Sequence, residues 1–196
     1  MDPFTLAYTL EEHAWATALI AVGSKSICRN VSYLTIDPLG ELASALIDLI
    51  WPQEVTYFVV NRSISEELLS GLQGRHVVWA DEPGGVRWTL RTQETNSLLV
   101  RIDTLRDTQA GSEVAATFEG SCFLRDVVDA TVQCMESVLL QHGIVGYRGH
   151  WSRGDISLSR YLMLKRWLAN EHLTREEALA STWATDIAQL AALSRA

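Results

Sequence analysis

The chain has 196 residues, of which 47% are apolar and 20% are charged. Area scaling for a globule of this size predicts that about 70% of the surface of the unfolded chain is buried on folding. This composition excludes a disordered tail, a collagen-like chain and a small disulfide-stapled protein.

The charge balance argues against several classes of partner. The 24 Asp and Glu residues outnumber the 16 Lys and Arg residues, which gives a formal net charge of −8. Non-specific nucleic-acid binding needs the opposite sign, because cations must displace the counterions of phosphates. No apolar run approaches the length of about 18 residues that a membrane span requires. We therefore expect neither a nucleic-acid partner nor a membrane.

Cysteine usage favours a reducing compartment. Cys28, Cys122 and Cys134 are widely spaced, and no C-x-x-C motif occurs. An odd number of cysteines at such spacings does not predict a disulfide framework or a zinc ribbon. The sequence thus predicts a cytoplasmic protein with small buried thiols and no metal or cofactor.

The N-terminal segment Met-Asp-Pro-Phe-Thr resembles a cloning remnant and has no signal-peptide pattern. We therefore predict three parts: residues 1–5 as a remnant, residues 6–170 as one α+β domain, and residues 171–196 as a C-terminal helical extension.

The first predicted elements are a hairpin and a helix. Residues 15–22 are apolar on both faces of an alternating pattern, which fits either a strand buried on both faces or a short helix. A turn follows, and residues 27–32 are predicted to form a second strand. Asp37-Pro38 predicts a sharp helix start, with Asp37 as the capping residue and Pro38 in the first turn. An apolar stripe continues this helix up to Trp51-Pro52.

A strand over 55–60, a short helix over 61–74 and a strand over 75–80 are predicted next. Asp81-Glu82-Pro83-Gly84-Gly85 then predicts a turn. Three alternating strands follow, and they predict an antiparallel meander with one apolar face and one wet face. The members of the apolar face are Val86, Trp88, Leu90, Leu98, Val100, Ile102, Val114, Ala116 and Phe118; Arg87, Thr89 and Arg91 lie on the wet face.

The C-terminal third is predicted to be helical. A long amphipathic helix covers 122–142, with Ser121 as its cap and Gly143 as its left-handed end. A glycine-rich loop over 143–154 and a helix up to about Ala169 follow. The capping box Thr174-Arg-Glu-Glu177 opens a final helix. The fold class predicted is α+β: an antiparallel sheet, made of a hairpin plus a three-stranded meander, is covered by two amphipathic helices and has a helical C-terminal appendage.

No group of residues in the sequence forms a motif that predicts a particular reaction. His142 and His150 flank the glycine loop and offer a site for metal or acid–base chemistry with Cys134 or Asp129, but helix-end roles explain them more simply. Acidic residues at the strand ends offer glycosidase-like chemistry, but turn residues explain them as well. Trp151 stands beside Arg148, His150 and Arg153, and it is either a binding hot spot or a loop residue folded onto the core.

Three segments together resemble a known group of proteins. They are Asn30-Val-Ser-Tyr-Leu-Thr-Ile-Asp-Pro-Leu-Gly-Glu-Leu, Asp81-Glu-Pro-Gly-Gly-Val-Arg-Trp-Thr-Leu-Arg, and the H-G-x-x-G-Y-R run from His142 to Arg148. In this order they resemble a group of uncharacterised bacterial cytosolic proteins, some of which are similar to immunity proteins of polymorphic toxin systems. The resemblance covers about residues 15–170, and residues 51–74 and the helix after Asn170 depart from it.

The resemblance implies a non-enzymatic antitoxin. Such a protein binds a cognate, basic toxin domain in the cytoplasm and occludes its active site, as a monomer or weak dimer. The alternatives are a small hydrolase or transferase that uses His142, His150 and nearby carboxylates, and a housekeeping protein-interaction module. No catalytic residue is transferred from the group. The predicted partner-binding residues are Asp81, Glu82, Arg87, Arg91, Asp103, Asp107, Tyr147, His150, Trp151 and Arg153.

Overall fold

A computed structural model of the chain describes residues 1–52, 74–93, 96–108 and 113–193. Its strands are β1 (Phe4–Leu10), β2 (Trp15–Val22), β3 (Lys25–Ser32), β4 (Arg75–Asp81), β5 (Gly84–Thr92), β6 (Ser97–Leu105) and β7 (Val114–Phe123). Its helices are α1 (Pro38–Ile50), α2 (Leu124–Trp151), α3 (Leu158–Ala169), α4 (Arg175–Leu179) and α5 (Trp183–Leu193). The strand predicted over 55–60 and nearly all of the helix predicted over 61–74 lie outside the described residues.

The α+β fold class is confirmed, with two antiparallel sheets. The first sheet has the order β1-β2-β3, and the second has the order β4-β5-β6-β7. The predicted hairpin therefore gains β1 as a third strand, and the predicted meander gains β4 as a fourth. Strand β7 lies at the edge of the second sheet, and its Val114 and Ala116 are exposed. Of the three β7 residues predicted for the apolar face, only Phe118 packs on the core.

The first residues of the chain belong to this fold. Phe4 and Thr5 pair with Val22 and Ala21 in the ladder between β1 and β2. The backbone N–H of Asp2 donates to the Ser121 carbonyl at 2.7 Å, and the Asp2 carboxylate accepts from the Ser121 N–H at 3.1 Å. A domain boundary at residue 6 therefore leaves out the beginning of β1.

An aromatic cluster joins the two sheets. Trp79 and Trp88 from the second sheet pack edge to face, with ring centroids 4.9 Å apart. From β1, Tyr8 contacts Trp79 and Phe4 contacts Trp88, at centroid distances of 6.1 and 6.5 Å. Such contacts bury large apolar surfaces in favourable ring geometry. The first sheet thus covers part of the apolar face of the meander.

Helix α1 begins as its sequence predicts. Asp37 Oδ1 accepts from the Gly40 N–H at 3.0 Å, and Pro38 occupies the first turn. The buried stripe of α1 packs on β4, and the Trp79 indole N–H donates to the Pro38 carbonyl at 3.1 Å. This contact ties the start of the helix to the centre of the aromatic cluster.

Helix α2 differs from its prediction at both ends. Cys122 and Phe123 complete β7, so the helix begins at Leu124, and no side chain caps it; Ser121 as the cap is wrong. Gly143 does interrupt the helix, with φ 68° and ψ 178°, a conformation that essentially only glycine adopts. The chain nevertheless returns to a helix up to Trp151, so the loop predicted over 143–154 is wrong for most of its length. The helix packs mainly on β1.

The C-terminal region is helical, as predicted, but it is divided. Thr174 and Glu177 form the predicted capping box, which opens only the short helix α4. A separate helix, α5, follows, and most of its surface is exposed. Within the described part of the chain, no helix combines the length and the apolar character that a membrane crossing requires.

Candidate functional site

The predicted partner-binding residues fall in three places in the structure. Asp81, Glu82 and Asp107 lie around the turn between β4 and β5. Arg87, Arg91 and Asp103 lie on the wet face of the second sheet. The third group is at the end of α2 and comprises Tyr147, His150, Trp151 and Arg153.

The loop over residues 33–36 connects the first place with the third. On one side, the Thr35 hydroxyl accepts from the Ala80 N–H at 2.9 Å, next to Asp81. On the other side, the Ile36 carbonyl accepts from the Trp151 indole N–H at 2.8 Å. The loop is therefore fixed to β4 and to the end of α2.

This loop presents apolar side chains to solvent. The exposed fractions are 38% for Tyr33, 41% for Leu34 and 60% for Ile36. Adjacent exposed apolar residues are typical of protein contact sites, whereas single ones are ordinary. Tyr33 and Leu34 also line an open cleft of about 470 Å³, whose other walls are Glu82, Pro83, Asp107 and Thr108. We call these six residues together with Ile36 the 33–36 surface.

The border of the 33–36 surface is acidic. Glu82 and Asp107 line its cleft, and none of the described lining residues is basic. Thr108 holds the two acidic segments together, because its N–H donates to the Pro83 carbonyl at 2.9 Å. Asp81 lies behind them, half-buried, and burial raises its pKa while the nearby Arg29 opposes that shift. At neutral pH this border presents negative charge beside apolar side chains.

Two of the predicted partner residues at the end of α2 lie in the interior. Trp151 is fully buried, and its indole N–H donates to the Ile36 carbonyl. Of the two interpretations of Trp151, the core residue is therefore correct and the exposed hot spot is wrong. Tyr147 is also buried; burial and the hydrogen-bonded Asp37 carboxylate raise the pKa of its phenol. Trp151 holds the 33–36 loop through its indole hydrogen bond, and neither side chain offers a surface to a partner. Arg153 is exposed beside them.

The two histidines of the glycine-rich segment do meet. The rings of His142 and His150 pack edge to face with centroids 4.7 Å apart. Burial, followed by the charge of His150, lowers the pKa of His142. Neither a carboxylate nor a cysteine completes a metal site there, since no cluster of three or more metal-ligating side chains occurs among the described residues. The carbonyl of His150 instead accepts from the Ala14 N–H at 2.8 Å.

The wet face of the second sheet holds an ordered ionic row. The strand register aligns Arg87, Asp103 and Thr117 across β5, β6 and β7. Asp103 is only 1% exposed, and its carboxylate accepts from both neighbours and from Arg101. Burial alone raises the pKa of Asp103, but the hydrogen bonds from Thr117, Arg87 and Arg101 outweigh it and lower the pKa.

The buried thiols show no sign of activation. Cys134 donates to the Leu6 carbonyl, and burial raises its pKa to about 12. Burial also raises the pKa of Cys122 to about 11. A nucleophilic or metal-binding cysteine needs the opposite shift, because the thiolate is the reactive form. Cys134 therefore fits the structural role that the sequence favoured.

The residues that sequence reasoning missed are Tyr33, Leu34 and Ile36. Their signal was present, since three of the four residues before the Asp37 cap of α1 are apolar, where a polar loop is ordinary. Arg101 and Thr117 were also missed. Arg101 lies two residues before Asp103 on the same strand, whereas only the strand register places Thr117 beside Asp103. No protein-family model matches this chain, and a search of curated proteins finds no match.

Proposed function

We propose that this chain is a non-catalytic immunity protein of the cytoplasm, which binds a basic bacterial toxin domain through the 33–36 surface and occludes the active site of the toxin. The observation that supports this proposal is the juxtaposition of the exposed side chains of Tyr33 and Leu34 with the acidic side chains Glu82 and Asp107 in one cleft. Apolar anchors beside a charged border are the usual anatomy of a specific protein interface.

The two parts of the surface have different roles in this proposal. The carboxylates of Glu82 and Asp107 steer a cationic partner and take the positions of substrate phosphates in its cleft. Leu34 and Ile36 supply the apolar contact that slows dissociation, because apolar burial sets the lifetime of a complex more than its rate of formation. Occlusion needs no chemistry from the inhibitor.

Calorimetry with the toxin encoded beside the gene of this protein tests the proposal. The chain should form a 1:1 complex and abolish toxin activity. Leu34→Asp should weaken binding at least tenfold, because it places a charge in the apolar part of the interface. Leu140→Asp is the matched control, since Leu140 is 57% exposed on α2, outside the 33–36 surface.

A charge-reversal variant separates steering from contact. Glu82→Lys combined with Asp107→Lys should slow association and remove most of its dependence on salt. The absence of a complex with the wild-type chain, or equal affinities of the Leu34→Asp and Leu140→Asp variants, would contradict the proposal.

A further inference from the structure

The wet face of the second sheet carries a groove of about 360 Å³ that is open to solvent. It lies on the side opposite the aromatic cluster, because strand residues alternate between faces and Trp88 and Leu90 point into the core. Its lining residues are polar or charged: His76, Arg87, Thr89, Arg91, Arg101 and Asp103. This groove is separate from the 33–36 surface.

Asp103 fixes two of the guanidinium groups. Its Oδ2 accepts from Arg87 Nε at 3.1 Å and Nη2 at 2.7 Å. Its Oδ1 accepts from Arg101 Nε at 2.9 Å and from the Thr117 hydroxyl at 2.6 Å. The carboxylate is thus fully used, whereas each guanidinium has five N–H groups and retains most of them for another acceptor. The guanidinium groups of Arg87 and Arg101 are therefore held in place by Asp103, and each keeps N–H groups that can bind a ligand.

Arg91 adds a third cation to the groove. It is exposed and makes no ion pair within the described chain. Three arginines against one aspartate give the lining a charge of +2 in a chain whose net charge is −8. Glu119 lies opposite Arg101 on the edge strand, and even with Glu119 included the local balance stays positive.

Two further polar groups complete the lining. His76 Nδ1 and the Thr89 hydroxyl lie 3.1 Å apart. Burial and then the charges of Arg87 and Arg91 lower the pKa of His76, so its ring is neutral at neutral pH. A neutral imidazole and a hydroxyl hydrogen-bond an anion without adding charge.

We propose that this groove binds a phosphate-bearing ligand through Arg87, Arg91 and Arg101. Guanidinium forks match the oxygens of a phosphate in bidentate geometry. Three of them, two from β5 and one from β6, can meet several oxygens of one tetrahedral anion. A phosphate monoester carries a charge of about −1.5 to −2 at neutral pH, which balances the +2 of the lining. This inference does not depend on toxin binding.

Titrations of the whole chain with inorganic phosphate and with phenyl phosphate test the inference. Acetate and benzoate serve as the matching carboxylate controls. Calorimetry gives the affinity, and NMR of the arginine Nε–H groups locates the site. We expect saturable binding of one phosphate group per chain and no comparable carboxylate binding. Tighter binding of phenyl phosphate than of inorganic phosphate would identify an organic ester as the ligand class, whereas equal affinities would identify the phosphate ion itself.

Matched arginine variants keep the test sharp. Arg91→Gln should weaken phosphate binding about tenfold or more, because it removes a charge-assisted donor set. Arg91→Lys should give an intermediate loss, since it keeps the charge without the fork. Arg153→Gln, an exposed arginine outside the groove, should have no effect. Unchanged unfolding midpoints verify that the variants fold. No saturable phosphate binding, equal binding by the Arg91→Gln variant, or equal affinity for benzoate would overturn the inference.

Discussion

The carboxylate of Asp37 accepts a hydrogen bond from the hydroxyl of Ser157, which lies 120 residues later in the chain. Its Oδ1 caps the first turn of α1 through the Gly40 N–H. Ser157 is itself the residue that precedes α3, and Arg160 of that helix donates to the Gly40 carbonyl at 3.1 Å. One buried aspartate therefore joins the starts of two helices that are far apart in sequence.

Asp37→Ala should lower the free energy of unfolding by about 2–4 kcal/mol, because it removes a helix cap and leaves buried donors without an acceptor. Urea unfolding followed by circular dichroism measures the change. Ser157→Ala is the matched control and should cost only about 1 kcal/mol, since the cap to Gly40 remains. Equal losses in the two variants would show that Asp37 acts only through Ser157.

Asp103 should make stability depend on acid pH. Because hydrogen bonds hold its folded-state pKa below the unfolded value near 4, its contribution is fully present above that pH and is lost as the pH falls through the folded pKa. Asp103→Asn should cost about 1–3 kcal/mol at pH 7, and the difference from wild type should shrink below about pH 4.

Unfolding free energies of both proteins across this acid range provide the measurement. Glu12→Gln is the control, because Glu12 is 82% exposed and should show no comparable trend. A difference between the Asp103→Asn variant and wild type that stays constant down to pH 2 would contradict the assignment.

Thiol labelling should distinguish Cys28 from the other two cysteines. Cys28 is exposed, whereas Cys122 and Cys134 are buried and have raised pKa values. A maleimide should modify only Cys28 in the native protein, and all three cysteines after denaturation. Mass spectrometry of tryptic peptides identifies the labelled cysteines, and Cys28→Ser should abolish labelling of the native protein. Rapid native modification of Cys134 would mean that its helix opens from β1.

Replacement of His13 should stabilise the turn between β1 and β2. His13 has a φ of 60° and an exposed side chain, which among the described residues forms an ion pair only with Glu12, at 3.8 Å. His13→Gly should raise the free energy of unfolding by about 0.5–1 kcal/mol, because glycine adopts this conformation without steric cost. His13→Ala should bring no gain. Thermal unfolding of the two variants measures the contrast.

Local signals predicted much of this fold. The Asp37-Pro38 pair located the start of α1, and the alternation in residues 86–90 and 98–102 separated a buried face from a wet face. Arg87 and Arg91 were placed on the wet face from that alternation alone. These features depend on neighbours in sequence, which is the range over which patterns are informative.

The errors have equally physical causes. Strand β1 was not predicted, although Phe4, Leu6, Tyr8 and Leu10 alternate as in a strand; without Phe4, which was assigned to the remnant, only three alternating residues remain. Gly143 does adopt a left-handed conformation, yet a helix can resume beyond such a residue when its apolar side chains find the core, as Tyr147 and Trp151 do.

The candidate sites were harder to predict because they depend on register and on distant contacts. Asp103 finds Arg87 and Thr117 only when three strands pair in one alignment. The 33–36 loop gains its place from Ala80 and Trp151, which lie 45 and 115 residues away from their partners in it. No pattern within a short window contains that information.

The double attachment of the 33–36 loop bears on the thermodynamics of any association there. A loop that is mobile before binding loses backbone entropy of about 1–2 kcal/mol for each residue that becomes ordered. Here the hydrogen bonds that the loop accepts from the Ala80 N–H and the Trp151 indole N–H have already imposed that order within the isolated chain. In the proposed complex, Tyr33, Leu34 and Ile36 would therefore dock with little rearrangement of their backbone.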